Sequence, residues 1–132
     1  MKIYTSYFAN IRNLQKEGIV AISIARYSPK WYYGPRYTNV APSGWMISGQ
    51  CSHEEYLKKY DEILSCLDAN EVVNTIKGIS QGKDVALCCY EKPGDFCHRH
   101  LLADWLNRNG FEVKEWDSKV EREKSQQLSL FD

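Results

Sequence analysis

The sequence predicts an α/β fold, a small Rossmann-like three-layer domain with a mostly parallel sheet over residues 1–116, followed by a flexible tail over 117–132. Three observations carry this. Short runs rich in Ile, Val and Tyr alternate with segments of helical period, Gly and Asn-Gly punctuate the joins, and Val85-Ala86-Leu87-Cys88-Cys89-Tyr90 is apolar throughout, as a strand covered on both faces requires. A chain of 132 residues can bury one core without staples. Lys plus Arg equals Asp plus Glu at 17 each, so any basic surface has to be local rather than global. No apolar run approaches a membrane span, and Met1 to Ser6 lacks the regions of a signal peptide. The expectation is a cytoplasmic protein with no membrane partner. Five cysteines, an odd number without the spacing of a small secreted domain, suggest reduced thiols rather than a disulfide framework.

Taken in order, Lys2 to Tyr7 and Ile19 to Ala25 read as strands joined by a helical turn around Ile11 to Leu14, with Gly18 as the breaker. From Arg26 to Gln50, Pro29, Gly34, Pro35, Pro42, Gly44 and Gly49 leave no room for a long regular element, which makes this a functional-looking loop. Ser52 with Glu55 three positions on is a capping box, and Tyr56, Leu57, Tyr60, Ile63, Leu64 and Leu67 continue it as a helix to about Cys66. Val72, Val73, Ile76 and Ile79 mark a second helix closing near Gly82. After the buried strand, Cys97 to Arg108 forms a helix stopped by Asn109-Gly110, and Phe111 to Trp116 alternates as an edge strand. Beyond Asp117 almost nothing can be buried until the apolar tip.

The richest segment is the junction Leu87-Cys88-Cys89-Tyr90-Glu91-Lys92-Pro93-Gly94-Asp95-Phe96-Cys97-His98-Arg99, in which a strand ends in Cys-x-Glu and a loop leads to Cys-His-Arg opening a helix. With the strand Ile3 to Tyr7 and the turn Arg26 to Pro29, it resembles the domain-of-unknown-function 488 family over roughly residues 1 to 116. The resemblance implies a compact Rossmann-like domain with its shared residues at one end of the sheet, and no established reaction.

Strand alternation places Cys89 and Glu91 on one side and Cys88, a core residue, on the other. On the following helix His98 faces the sheet, Arg99 flanks it and His100 points away. Glu91, Cys89 and His98 are therefore candidates for chemistry at the carboxyl end of a parallel strand, where open α/β sheets bind ligands. Glu91 is the choice for nucleophile or general acid/base, since a carboxylate following an apolar strand tends toward a raised pKa. Pairing with Arg99 or Arg26 would instead make it structural, and Cys97 and His98 have equally plain structural readings. Ser6, Tyr7, Arg26, Ser28 and Arg99 can converge on the same crevice to bind substrate. Neither a metal nor another cofactor is expected, because Cys88 and Cys89 diverge, His98 and His100 point apart, and no Cys-x-x-Cys pair exists. The loop Arg26 to Gln50 holds three basic and no acidic residues beside Tyr27, Trp31, Tyr32, Tyr33, Tyr37 and Trp45. Trp31 and Tyr32 are the candidates for stacking on unpaired bases, against the plainer role of anchoring a long loop.

Gln127-Leu128-Ser129-Leu130-Phe131 is similar to the pentapeptide by which bacterial DNA enzymes dock on the sliding clamp. Such a match arises by chance on the order of once per million windows. The resemblance implies that Leu130 and Phe131 fill an apolar pocket, Leu128 adds a contact and Gln127 bonds at the rim, with the charged stretch before them as tether. Folding back or self-association is the alternative. Together these features predict a nucleoid-associated DNA-maintenance protein whose partners are the clamp and DNA or a nucleotide. An enzyme cleaving an N-glycosidic bond is the specific expectation, a non-catalytic single-strand-binding adaptor the alternative, and thiol or metal chemistry at Cys89 and Cys97 a third.

Overall fold

The structure, a computed structural model, describes residues 1–90 and 97–117. Strands β1 (Ile3–Tyr7), β2 (Val20–Ser23), β3 (Val85–Cys89) and β4 (Val113–Glu115) form one sheet in the order β2-β3-β1-β4. Every pairing is parallel. The α/β class and parallel sheet read from sequence are thus present, with β4 at an edge as its alternation predicts. The helices are α1 (Ile11–Lys16), α2 (His53–Ser65), α3 (Ala69–Ser80) and α4 (His98–Arg108). Among the described residues, no helix is long and apolar enough to cross a membrane.

The period of two along β3 divides the core into two layers. Val85, Leu87 and Cys89 face the larger cluster, with Tyr60 and Leu64 of α2, Val72 and Ile76 of α3, and Leu102 and Leu106 of α4. Ala86 and Cys88 face the smaller one, with Ile11 and Leu14 of α1, Phe8 and Trp116. All five β3 residues are consequently buried, which accounts for the unbroken apolar run. Burial pushes the Cys88 thiol up to about 12, so it behaves as a small apolar side chain.

Local signals set the helix ends. Ser52 accepts from the Glu55 amide while the Glu55 carboxylate accepts from the Ser52 amide, completing the capping box on α2. Asp68 caps α3 by accepting from the Asn70 amide. The loop between β2 and α2 is anchored by two of its own aromatics, Tyr32 and Tyr37, which are buried, and by Tyr60 of α2, whose hydroxyl donates to the Val40 carbonyl at 2.7 Å.

Register aligns the strand ends. Val85 is level with both Ile3 and Val20, so Tyr7 lies beside Cys89 and Ser23 beside Cys88. Adjacent β1 and β3 send their following helices, α1 and α4, to opposite faces, which places a topological switch point between them. The Phe8 and Tyr90 rings meet there at 5.0 Å.

Candidate functional site at the carboxyl ends of β2 and β3

Beside that contact lies an open cavity of about 400 Å³. Its floor is Cys89, Cys97 and His98, and its walls include Arg26, Tyr27, Met46, His53, Tyr56 and Tyr90. β3 delivers Cys89, the start of α4 delivers Cys97 and His98, and the segment leaving β2 delivers Arg26. Of the residues singled out in the sequence, the cavity brings together Arg26, Cys89, Cys97 and His98, and Ser6, Tyr7, Ser28 and Arg99 are not among its lining.

His98 is held by its neighbours. Its Nε2 lies 2.7 Å from the Ile24 carbonyl, and because a carbonyl only accepts, Nε2 carries the proton. Nδ1 is then the lone-pair nitrogen, 3.8 Å from Cys97 Sγ. The Tyr60 ring packs edge-on against the imidazole at 5.5 Å. Burial lowers the His98 pKa from 6.5 to about 4, against the opposing pull of the Ile24 hydrogen bond.

The unfolded chain accepts a proton on this histidine near pH 6.5 whereas the folded one refuses it until about 4, so stability falls as pH drops through that window. The full loss is about 3 kcal/mol. Denaturation midpoints measured from pH 7 to pH 4 should show it as a difference between the wild type and His98→Gln. Parallel pH profiles for the two proteins would contradict the assignment.

Cys89 and Cys97 are joined by a disulfide, with Cα atoms 7.4 Å apart, while Cys51, Cys66 and Cys88 are free. This corrects the expectation of reduced thiols throughout, although one bond is not a framework. The expectation that no ligand set gathers is also corrected in part. Cys89, Cys97 and His98 present Sγ, Sγ and a ring nitrogen within 4.8 Å of one another, and His100 does not join them. The alternation of side chains between the two faces of the sheet separates Cys88 from Cys89, as read from sequence, but the helix start brings Cys97 to Cys89.

Arg99 is fully buried. Its Nε and Nη2 bind the two Glu115 carboxylate oxygens at 3.0 and 2.9 Å, and Nη1 donates to Cys89 Sγ at 3.0 Å. Thr5 donates to the same carboxylate at 2.6 Å, and the guanidinium carbon sits 5.9 Å from the Tyr7 ring centroid. Arg99 and Tyr7 thus form a strut tying β1, β3, α4 and β4 together rather than a wall of the cavity. Ser6 is buried and accepts from Asn10 Nδ2, and Ser28 bonds Ser23 across 2.7 Å, so neither lines the cavity. Arg26 does line it, with Nε donating to the Pro42 carbonyl at 2.8 Å.

The aromatic loop divides. Tyr32 is core: its hydroxyl lies 2.6 Å from the Pro35 carbonyl and 3.1 Å from that of Ala21, and its ring packs on Phe8. This corrects its assignment as a stacking residue. Trp31, Tyr27, Tyr33 and Trp45 are exposed. Tyr32→Phe should cost about 1 kcal/mol in a denaturant melt, since two carbonyls lose a donor, while Trp31→Ala should cost less. Glu91 and the residues Gln127 to Phe131 lie outside the described residues.

Sequence reasoning missed Glu115. Its signal was present, because it shares a face of β4 with buried Val113, and a carboxylate on a covered face calls for a cation. Tyr56 and His53 were read only as helix residues. Being on the first turn of α2 beside the long loop, they become cavity walls only once α2 is seated against the sheet.

The parallel sheet with two cysteines and a histidine gathered at its carboxyl edge defines a Rossmann-like α/β domain with its candidate chemistry on the β3–α4 junction. The family described as the active DUF488-N3 subclade matches residues 6–110, and the chain belongs to it. No curated protein and no solved structure matches the chain.

Proposed function

We propose that this protein is a DNA-maintenance enzyme, recruited by the sliding clamp through Gln127 to Phe131, that takes a nucleotide or a damaged or modified base into the cavity over β2 and β3. The cavity carries the reading. Its volume of about 400 Å³ is the size of a small-molecule site, and a mainly apolar wall converges with a few polar groups, Arg26 and His98 among them. Tyr27 and Tyr90 at its rim offer ring faces to a base, and Arg26 offers charge to a phosphate. N-glycosidic cleavage is the specific reaction proposed, with Glu91 as the carboxylate that stabilises or traps an oxocarbenium-like sugar.

One observation favours a second reading, a single-strand-binding adaptor without turnover. Trp31 and Tyr33 are exposed on a basic loop, and exposed rings are what sequence-tolerant base stacking needs. Incubating the full chain with damaged and modified oligonucleotides separates the two. Base release that disappears in Glu91→Gln is the expected result. Binding without release, weakened by Trp31→Ala, would establish the adaptor instead, and the absence of both would overturn the nucleotide reading.

A further inference from the structure

We infer that reduced Cys89 and Cys97, together with His98, form a site for a divalent metal ion of the zinc class, with a remaining coordination position open to the cavity. This goes beyond the DNA reading and stands independently of it. The three ligand atoms lie within 4.8 Å of one another, so once the bond between the sulfurs is broken, a small separation of the two lets one ion reach all three. Two thiolates and one imidazole are ligands that zinc prefers, and three protein ligands with an open position is the arrangement of a catalytic rather than a purely structural site. The opening exists, because all three residues line the cavity floor.

The surroundings prepare two of the ligands, His98 and Cys89. The Ile24 carbonyl accepts the hydrogen bond from His98 Nε2–H, which keeps the proton on Nε2 and leaves the Nδ1 lone pair on the side of Cys97 Sγ, the tautomer a metal needs. Arg99 Nη1 donates to Cys89 Sγ, which favours the thiolate, and Glu115 offsets the guanidinium charge so that it does not repel a cation. Two thiolates neutralise the ion itself.

The disulfide and the metal are alternative states of the same sulfurs. A dithiol donor transfers two electrons into the S–S bond, which breaks as the donor closes its own disulfide, and the donor's two protons pass to the cysteine sulfurs. Metal binding then displaces those protons to solvent. Redox poise would therefore decide whether the site is available.

The test is cobalt(II) titration of the full chain, reduced with a phosphine under anaerobic conditions and followed by absorption. One equivalent should give tetrahedral d–d bands and thiolate-to-cobalt charge transfer. Both should vanish in Cys89→Ser and in Cys97→Ser, each checked for native circular dichroism, and persist in the Cys51→Ser, Cys66→Ser double variant. The disulfide form should give no bands until it is reduced. Absence of the bands in the reduced wild type would overturn the site, as would their survival in a folded Cys89→Ser, Cys97→Ser double variant. Because the readout involves neither DNA nor clamp, its failure is distinct from failure of the DNA reading.

Discussion

Arg99→Met is expected to destabilise the domain by about 3–5 kcal/mol, because it leaves a carboxylate in the sheet with no cation. The guanidinium is fully buried and makes a two-pronged bond to Glu115, whose side chain is only 26% exposed. Cys89 Sγ loses the Arg99 Nη1 donor at the same moment, while Thr5 keeps its bond to the Glu115 carboxylate. For a domain of ordinary stability, roughly 5–15 kcal/mol, the loss is a large share. The double variant Arg99→Met, Glu115→Leu should recover much of it, since apolar replacement of a buried pair is often neutral or better. Urea melts of the three proteins check this. A single variant within about 0.5 kcal/mol of wild type would show that the strut does not hold the edge strand in place.

Deleting residues 126–132 is expected to abolish capture by a bacterial sliding clamp while leaving the melting temperature unchanged. The apolar side chains Leu128, Leu130 and Phe131 carry the resemblance to clamp-binding peptides. Ordering such a segment on a partner costs free energy, so affinity of the full chain should be in the micromolar range. Leu130→Ala with Phe131→Ala should weaken capture nearly as far as deletion, because two side chains filling one pocket supply most of the energy. Capture unchanged by deletion would assign any clamp contact to the domain. A fall in melting temperature would show that the segment packs on its own sheet.

Much of the fold was legible because its signals are local. The Ser52–Glu55 capping box started α2 where the sequence placed it, and the apolar run at β3 announced a strand covered on both faces. Alternation alone separated Cys88 from Cys89. The loop after β2 has no period, so sequence could count its rings but not sort them. Trp31 and Tyr32 are neighbours with opposite fates, decided by which one reaches the carbonyls of Pro35 and Ala21. The site was half legible for the same reason. Cys97 and His98 were visible as a helix start, but their approach to Cys89 depends on how α4 seats against β3. The Arg99–Glu115 pair spans a helix and an edge strand, and Arg99 alone resembled a substrate-binding residue until its partner was placed.

The two parts of the proposal, a base-processing cavity and a clamp-binding tail, meet in a single measurement: the rate of base release from a damaged duplex loaded with sliding clamp, compared between the full chain and the chain lacking residues 126–132. Clamp recruitment to a base-processing site is expected to raise the rate of the full chain over naked DNA by at least about tenfold through effective concentration, and to leave the truncated chain unaffected. Equal rates for both chains on clamp-loaded DNA would contradict recruitment, and no release by either on any damaged duplex would contradict the enzyme.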